Sequence, residues 1–188
     1  MFIQIEDTPN PNTLKFLPGF PILKEGETAE FSQGNDVSNS KLARSLLQVE
    51  YVNNVFFGYD FITVTKSDEI SWDLIKVEIL TSIMDHFTTG GTALDNGDIR
   101  PADEDDEFYD EHDEEIVGRI KELIENYVRP AVAQDGGDIR FKGFKDGIVF
   151  FKLHGACSGC PSASLTLKQG VQNMLTYHIP EVAGVENI

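Results

Sequence analysis

Two cysteines, Cys157 and Cys160, are the only thiols in the chain, and they stand three positions apart. They lie in the run Gly155-Ala156-Cys157-Ser158-Gly159-Cys160-Pro161-Ser162. A lone pair is no disulfide framework. In a reducing compartment it points to metal binding or to thiol redox chemistry. The run falls between an expected strand and an expected helix start. Backbone N–H groups at a helix N-terminus favour anions, so both thiols should ionise readily there. The small residues Gly155, Ala156, Ser158 and Gly159 let the backbone wrap a bulky anionic object, and their N–H groups can donate to sulfur.

The ligand count shapes what this pair can hold. An iron–sulfur cluster or a zinc ion usually takes four protein ligands, and one chain brings two. A symmetric pair of chains brings four thiolates face to face. A cluster held that way sits at a subunit boundary with little protein over it, which suits delivery better than permanent electron transfer. Two other readings stay open. A thioredoxin-like dithiol oxidoreductase also favours the strand–CxxC–helix position, although here a hairpin precedes the motif and no βαβ unit does. A zinc protein bridged across a dimer could recruit His154 in the pattern H-x-x-C-x-x-C, against the plainer reading of His154 as polar surface on the outer side of a strand.

Charge is unevenly spread. Residues 1–88 carry 13 acids and 6 bases, residues 116–188 carry 7 and 8, and residues 89–115 carry 12 acids against one base, or 11 of the 17 net negative charges. The net charge of −17 argues against duplex DNA or RNA as the main ligand, because phosphate binding needs a basic face, and leaves room for a local basic surface. The middle segment includes Gly90-Gly91, Asn96-Gly97 and Pro101 and ends in the run DEDDEFYDEHDEE, Asp103 to Glu115. Self-repulsion and few apolar residues make it a tether. It lacks the ligand spacing of a calcium loop. In contrast, Gly147 to Pro180 is 34 residues without one Asp or Glu. That suits an anionic cluster, although simple burial of the hairpin and helix would also deplete acids.

The elements around these features predict an α+β chain of two small domains: residues 1–88, an acidic linker over 89–114, and residues 115–188. In the first, extended pieces are expected at Phe2–Ile5, Thr13–Leu17 and Ala29–Phe31, with a short helix from Ser40 to Gln48. A hairpin of Val52–Phe57 and Phe61–Thr65 follows. Ser71 caps a helix to about Phe87 with Ile75, Ile79, Ile83 and Phe87 on one stripe, and Trp72 and the other aromatics read as core. In the second, Glu115 to about Ala133 forms a helix with Ile116, Ile120, Leu123, Tyr127 and Ala131 on one face, kinked or ended early by Pro130. Asp135-Gly136-Gly137-Asp138 reads as a helix stop and turn. Ile139–Phe144 and Ile148–His154 form a hairpin through Lys145-Asp146-Gly147, with Val149, Phe151 and Leu153 on one face. A helix from Pro161 to about Tyr177 turns Leu167, Val171, Met174 and Leu175 to the core, and a last strand lies near Val182–Val185. Nothing approaches a membrane-spanning run. The opening MFIQIEDTPNP has no basic region before its acids, which speaks against a signal or transit peptide and leaves the cytoplasm as the expected compartment.

Several separated stretches carry a resemblance. Arg129-Pro130, Asp135-Gly136-Gly137-Asp138, Leu153 through Ser162, Thr166-Leu167-Lys168-Gln169-Gly170 and Ile179-Pro180-Glu181-Val182 together resemble the NifU C-terminal (Nfu) domain. Thr8-Pro9-Asn10-Pro11-Asn12-Thr13-Leu14-Lys15-Phe16 resembles the Nfu N-terminal domain that precedes it in mitochondrial-type Nfu proteins. The resemblance implies a carrier or scaffold rather than an enzyme. It would bind a 4Fe–4S cluster between the subunits of a homodimer, receive it from upstream cluster-assembly donors and deliver it to apo iron–sulfur proteins as clients. It carries two ligands over, Cys157 and Cys160. It implies no ligand role for the Asp-Gly-Gly-Asp motif, and for the first domain an influence on partner choice or cluster access.

Overall fold

The computed structural model describes residues 1–95, 107–159 and 161–188, with the backbone alone for 161–163. Contacts divide the chain into two compact units, Met1–Arg100 and Pro101–Ile188. Both are α+β. Among the described residues no helix is long and apolar enough to cross a membrane.

The first unit has strands β1 (Gln4–Asp7), β2 (Thr13–Leu17) and β3 (Ala29–Ser32), helix α1 (Lys41–Gln48), strands β4 (Val52–Phe57) and β5 (Ile62–Lys66), and helix α2 (Trp72–Thr88). Its sheet runs β1-β2-β5-β4-β3 with every neighbouring pair antiparallel. Phe16, Val55, Phe57, Ile62 and Val64 from the sheet meet Leu42 and Leu46 of α1 and Ile79 and Ile83 of α2 in one core. Each such side chain contributes about 1.5–3 kcal/mol by leaving water. Ser40 ends the approach to α1. Its buried hydroxyl accepts from the Ala43 N–H at 3.0 Å and donates to the Ala93 carbonyl at 2.6 Å. The Thr8–Thr13 segment is a knitted turn. Thr8 Oγ1 lies 2.9 Å from the carbonyls of both Asn10 and Thr13, and Asn10 Oδ1 accepts the Asn12 N–H at 3.0 Å. Trp72 donates its indole N–H to the Pro11 carbonyl at 3.1 Å. It packs half-buried against the core, with its polar edge turned to that carbonyl.

The segment expected to open the acidic linker stays with the first unit at least to Asp95. Ala93 and Leu94 are buried in its core, and Asp95 N–H bonds to the Asn39 carbonyl at 2.7 Å. The opposite flank of the acidic segment is seated on the second unit. Phe108 bridges to Gly143, its ring lies 5.1 Å from that of Phe150, and Glu107 pairs with Lys121. The rest of the segment, residues 96–106, lies outside the described residues.

The second unit has helices α3 (Glu114–Leu123) and α4 (Arg129–Gln134) joined by a π-helical turn over Ile124–Val128. Strands β6 (Gly137–Lys145) and β7 (Ile148–Gly155), helix α5 (Pro161–His178) and strand β8 (Gly184–Asn187) follow. β6 and β7 are antiparallel. β8 joins β7 in parallel, with α5 as the crossover that parallel pairing demands. Asp146 and Gly147 both have positive φ, as a two-residue type I′ hairpin requires. Val149, Phe151 and Leu153 are buried together with Val171 and Leu175. The expected face of the first helix is displaced by about one position. The buried residues are Val117, Ile120, Ile124, Val128 and Val132, while Tyr127 is exposed. Pro130 has no N–H to return to Asn126. The helix therefore widens into a π turn over Ile124–Val128; the displaced face begins upstream of it, at Val117, with Ile116 and Leu123 partly buried at the edge of the same core.

Candidate metal centre

β7 delivers the chain to Gly155, and a tight turn carries it into α5. The Ser158 N–H bonds to the Gly155 carbonyl at 3.1 Å, and the Ser158 hydroxyl reinforces it at 3.0 Å. The Ala156 N–H bonds across to the Gly136 carbonyl at 3.1 Å. Two of the four N–H groups expected to face sulfur, those of Ala156 and Ser158, are therefore committed to holding the loop, because a buried amide must find a partner. Gly159 has φ +79° with open space around it, so glycine serves the backbone conformation there.

Cys157 is 5% exposed and packs into the core of the second unit. Its carbonyl accepts from the Ser164 hydroxyl of α5 at 3.1 Å. Cys160 lies outside the described residues. Beneath Cys157 runs Gly137, the first residue of β6. A Cβ built on Gly137 would stand 2.7 Å from the His154 carbonyl oxygen and 2.8 Å from Cys157 Sγ. Nothing larger than glycine fits without displacing the thiol. The Asp-Gly-Gly-Asp motif thus does more than end a helix: it forms the floor of the cysteine site. Its spacing hides this, since the contact spans 20 positions.

The last residue of that motif is an anchor. Asp138 is buried and receives Arg129 Nε at 2.8 Å, Arg129 Nη2 at 3.1 Å and Arg140 Nε at 2.8 Å. It also caps its own strand, accepting the Ile139 N–H at 2.9 Å. Arg129 reaches back to both oxygens of Glu125, at 2.7 and 2.8 Å. Burial works against the Arg129 charge. Hydrogen bonds to Asp138 and Glu125 more than offset it and hold the guanidinium pKa above its ordinary value. This clamp sits one residue from Gly137 and fixes the start of β6 against α4. The signal in the sequence was the pair of arginines flanking a buried-strand aspartate, Arg129 and Arg140. His154, expected on the outer surface of β7, is 8% exposed and faces Asp138 in the strand register. Among the described residues no group of three His, Cys, Asp or Glu could hold a metal ion.

Comparison with known proteins bears on this arrangement. A family model described as "Scaffold protein Nfu/NifU N terminal" matches residues 3–90, and one described as "NifU-like domain" matches residues 120–186. The human protein named "NFU1 iron-sulfur cluster scaffold homolog, mitochondrial" is 49% identical over 189 residues, covering 100% of this chain and 72% of its own length. The chain belongs to the Nfu/NifU scaffold family. The two matches bracket the acidic segment, and the NifU-like half contains Gly137, Cys157 and Cys160. A relative in Drosophila sechellia bearing the same name is 50% identical over 188 residues, covering 100% of this chain and 65% of its own length, so this chain spans somewhat under two thirds of it. The solution structure of a NifU-like protein from Saccharomyces cerevisiae is 27% identical, covers 51% of this chain and 86% of that one, and superposes with a TM-score of 0.46. The family is one of scaffolds, not of enzymes.

Proposed function

We propose that two copies of the chain hold one 4Fe–4S cluster through Cys157 and Cys160 of each, and that the pair hands this cargo to apo iron–sulfur proteins. The observation that carries the reading is the setting of Cys157. It is a nearly buried thiol, floored by a glycine and placed just before the start of α5. It lies in a stretch of 34 residues free of acid, within a family whose relatives are named iron–sulfur cluster scaffolds. Two cysteines per chain against four ligands per cluster call for a second copy.

The residues divide the work. Cys157 and Cys160 bind as thiolates, and Gly137 gives Sγ its room. The Arg129–Asp138–Arg140 clamp holds that floor still. Release is ligand exchange without net redox change: each incoming client thiol takes a cluster position and gives up its proton to the departing Cys157 or Cys160 thiolate. Upstream donors of the cluster-assembly machinery load the pair. The first unit selects partners, and the acidic segment tethers the two units. The compartment is a thiol-reducing one. The cytoplasmic expectation rested on the N-terminal residues, whereas the human and fly relatives carry "mitochondrial" in their names.

The test is anaerobic reconstitution of Cys157→Ser and Cys160→Ser, with iron and sulfide counted per chain. Both variants should keep the wild-type circular dichroism and hold almost no cluster. Stoichiometric iron and sulfide in either one would overturn the bridging site.

A further inference from the structure

We propose that the exposed face of α5, formed by Leu165, Thr166, Gln169, Gly170, Asn173 and Tyr177, is the surface through which a second copy of this chain docks when the cluster is bridged. The proposal rests on the bridged-cluster reading above and adds where the two copies touch.

Three observations on α5 point there. At 100° per residue the six positions fall on one arc of the helix, and all six are exposed. None of them is ionised at neutral pH, although the chain carries a net charge of −17. Most of that charge lies in the acidic segment, and residues 116–188 carry 7 acids against 8 bases, yet none of these charged residues falls on this arc of α5. The outer side of α3 and its π turn, in contrast, presents Glu114, Glu115, Glu122 and Glu125 to solvent. A two-fold contact places each patch against itself, so an uncharged patch is the self-complementary choice.

The second observation is composition. Leu165 is 69% exposed and Tyr177 83%, both large for residues facing water. An uncharged patch carrying an aromatic and an aliphatic anchor has the make-up of an interface centre. The third is Gly170. Glycine is the least favourable helix residue after proline. Yet a Cβ at Gly170 would meet nothing within 4 Å in this chain. Among the described residues no neighbour requires the glycine, whereas a second backbone crossing α5 would. The face also begins at the right end. Leu165 is one turn from the start of α5 at Pro161 and five residues after Cys160, so a copy docked with its α5 parallel to this one brings its own cysteines toward this pair.

The experiment uses the full chain, reconstituted anaerobically with iron and sulfide. It compares wild type with Gly170→Leu and with the double variant Thr166→Glu, Gln169→Glu. The dimer dissociation constant is read by sedimentation velocity, cluster content by iron and sulfide assay, and the melting temperature of the apo chain by circular dichroism. Gly170→Leu should raise the apo melting temperature, because leucine is the better helix former, while weakening the cluster-loaded dimer at least tenfold. Those opposite signs exclude misfolding as the cause. The double variant should fold like wild type and weaken the loaded dimer by a similar factor. A control, Glu122→Gln on α3, should leave the dimer as tight or tighter. If both α5 variants load one cluster per two chains with the wild-type dimer constant, the docking face is elsewhere and the proposal falls. If they dimerise and load normally but deliver slowly to an apo 4Fe–4S ferredoxin, the face belongs to clients, and the proposal falls as well. Failure of wild type itself to take up a cluster would instead strike the bridged-cluster reading.

Discussion

Replacing Gly137 by alanine is the sharpest probe of how the fold prepares Cys157. The added methyl would lie 2.7 Å from the His154 carbonyl oxygen and 2.8 Å from Cys157 Sγ. Ordinary contact begins near 3.4 Å, so the sulfur or the strand must retreat by about 0.6 Å. The strand cannot easily yield, because Asp138 next door is held by Arg129 and Arg140. Forcing a methyl into so filled a site costs about 1–3 kcal/mol. At about 4–8 °C per kcal/mol for a unit of this size, the second unit should melt roughly 5–20 °C lower. The displaced thiol should also shorten the lifetime of a reconstituted cluster under a chelator. Gly159→Ala separates the two effects. It also loses about 1–2 kcal/mol through its left-handed backbone, but nothing lies within 4 Å of its Cβ, so Cys157 keeps its place. The assay is a calorimetric melt of each variant together with the decay of cluster absorbance after chelator is added. A Gly137→Ala protein with the wild-type melting temperature and cluster lifetime would refute the steric argument.

Three further outcomes are expected. Asp138→Asn leaves Arg129 and Arg140 without their shared carboxylate in a buried setting, and should cost the second unit about 3–5 kcal/mol in urea unfolding. Arg140→Met should cost less, since its side chain is 31% exposed against 12% for Arg129. Ser40→Ala removes both the α1 cap and the donor to Ala93, and should lower the stability of the first unit by about 1–2 kcal/mol, with the transition of the second unit unmoved in calorimetry. A first-domain chain ended at Thr88 should be less stable than one ended at Asp95, by about 2 kcal/mol or more for burial of Leu94 alone. Equal melting temperatures would show that the return segment does not support the core.

The sequence reads most clearly where local pattern and tertiary packing agree. The β6–β7 hairpin follows from Lys145-Asp146-Gly147 and the alternation of Val149, Phe151 and Leu153. The inner face of α5 follows from Leu167, Val171, Met174 and Leu175. The caps were less plain: Ser40, expected as the first helical residue, caps α1 with its side chain, whereas Ser71, expected as a cap, stands at the N-cap of α2 without a side-chain bond. Where the physics is non-local, the pattern misleads. The first helix of the second unit looks like a stripe through Ile116 and Tyr127, but Val117, Ile124, Val128 and Val132, one position on, are the residues that go inward, a choice made by packing against the sheet. Ala93 and Leu94 are too short an apolar run to stand out in an acidic stretch, and only the fold shows them returning to α1. Of the candidate site, Cys157 and Cys160 were visible as a motif. Their glycine floor was not, because Gly137 meets Cys157 only after a hairpin has brought residues 20 apart together. The burial of His154 likewise follows from strand register, which no local pattern fixes.

The central claim is that two chains share one cluster, and native mass spectrometry after anaerobic reconstitution tests it most directly. The account predicts a dimer carrying a single added mass of four irons and four sulfides, absent when either cysteine is serine. A bare monomer, or a dimer holding only zinc, would contradict it.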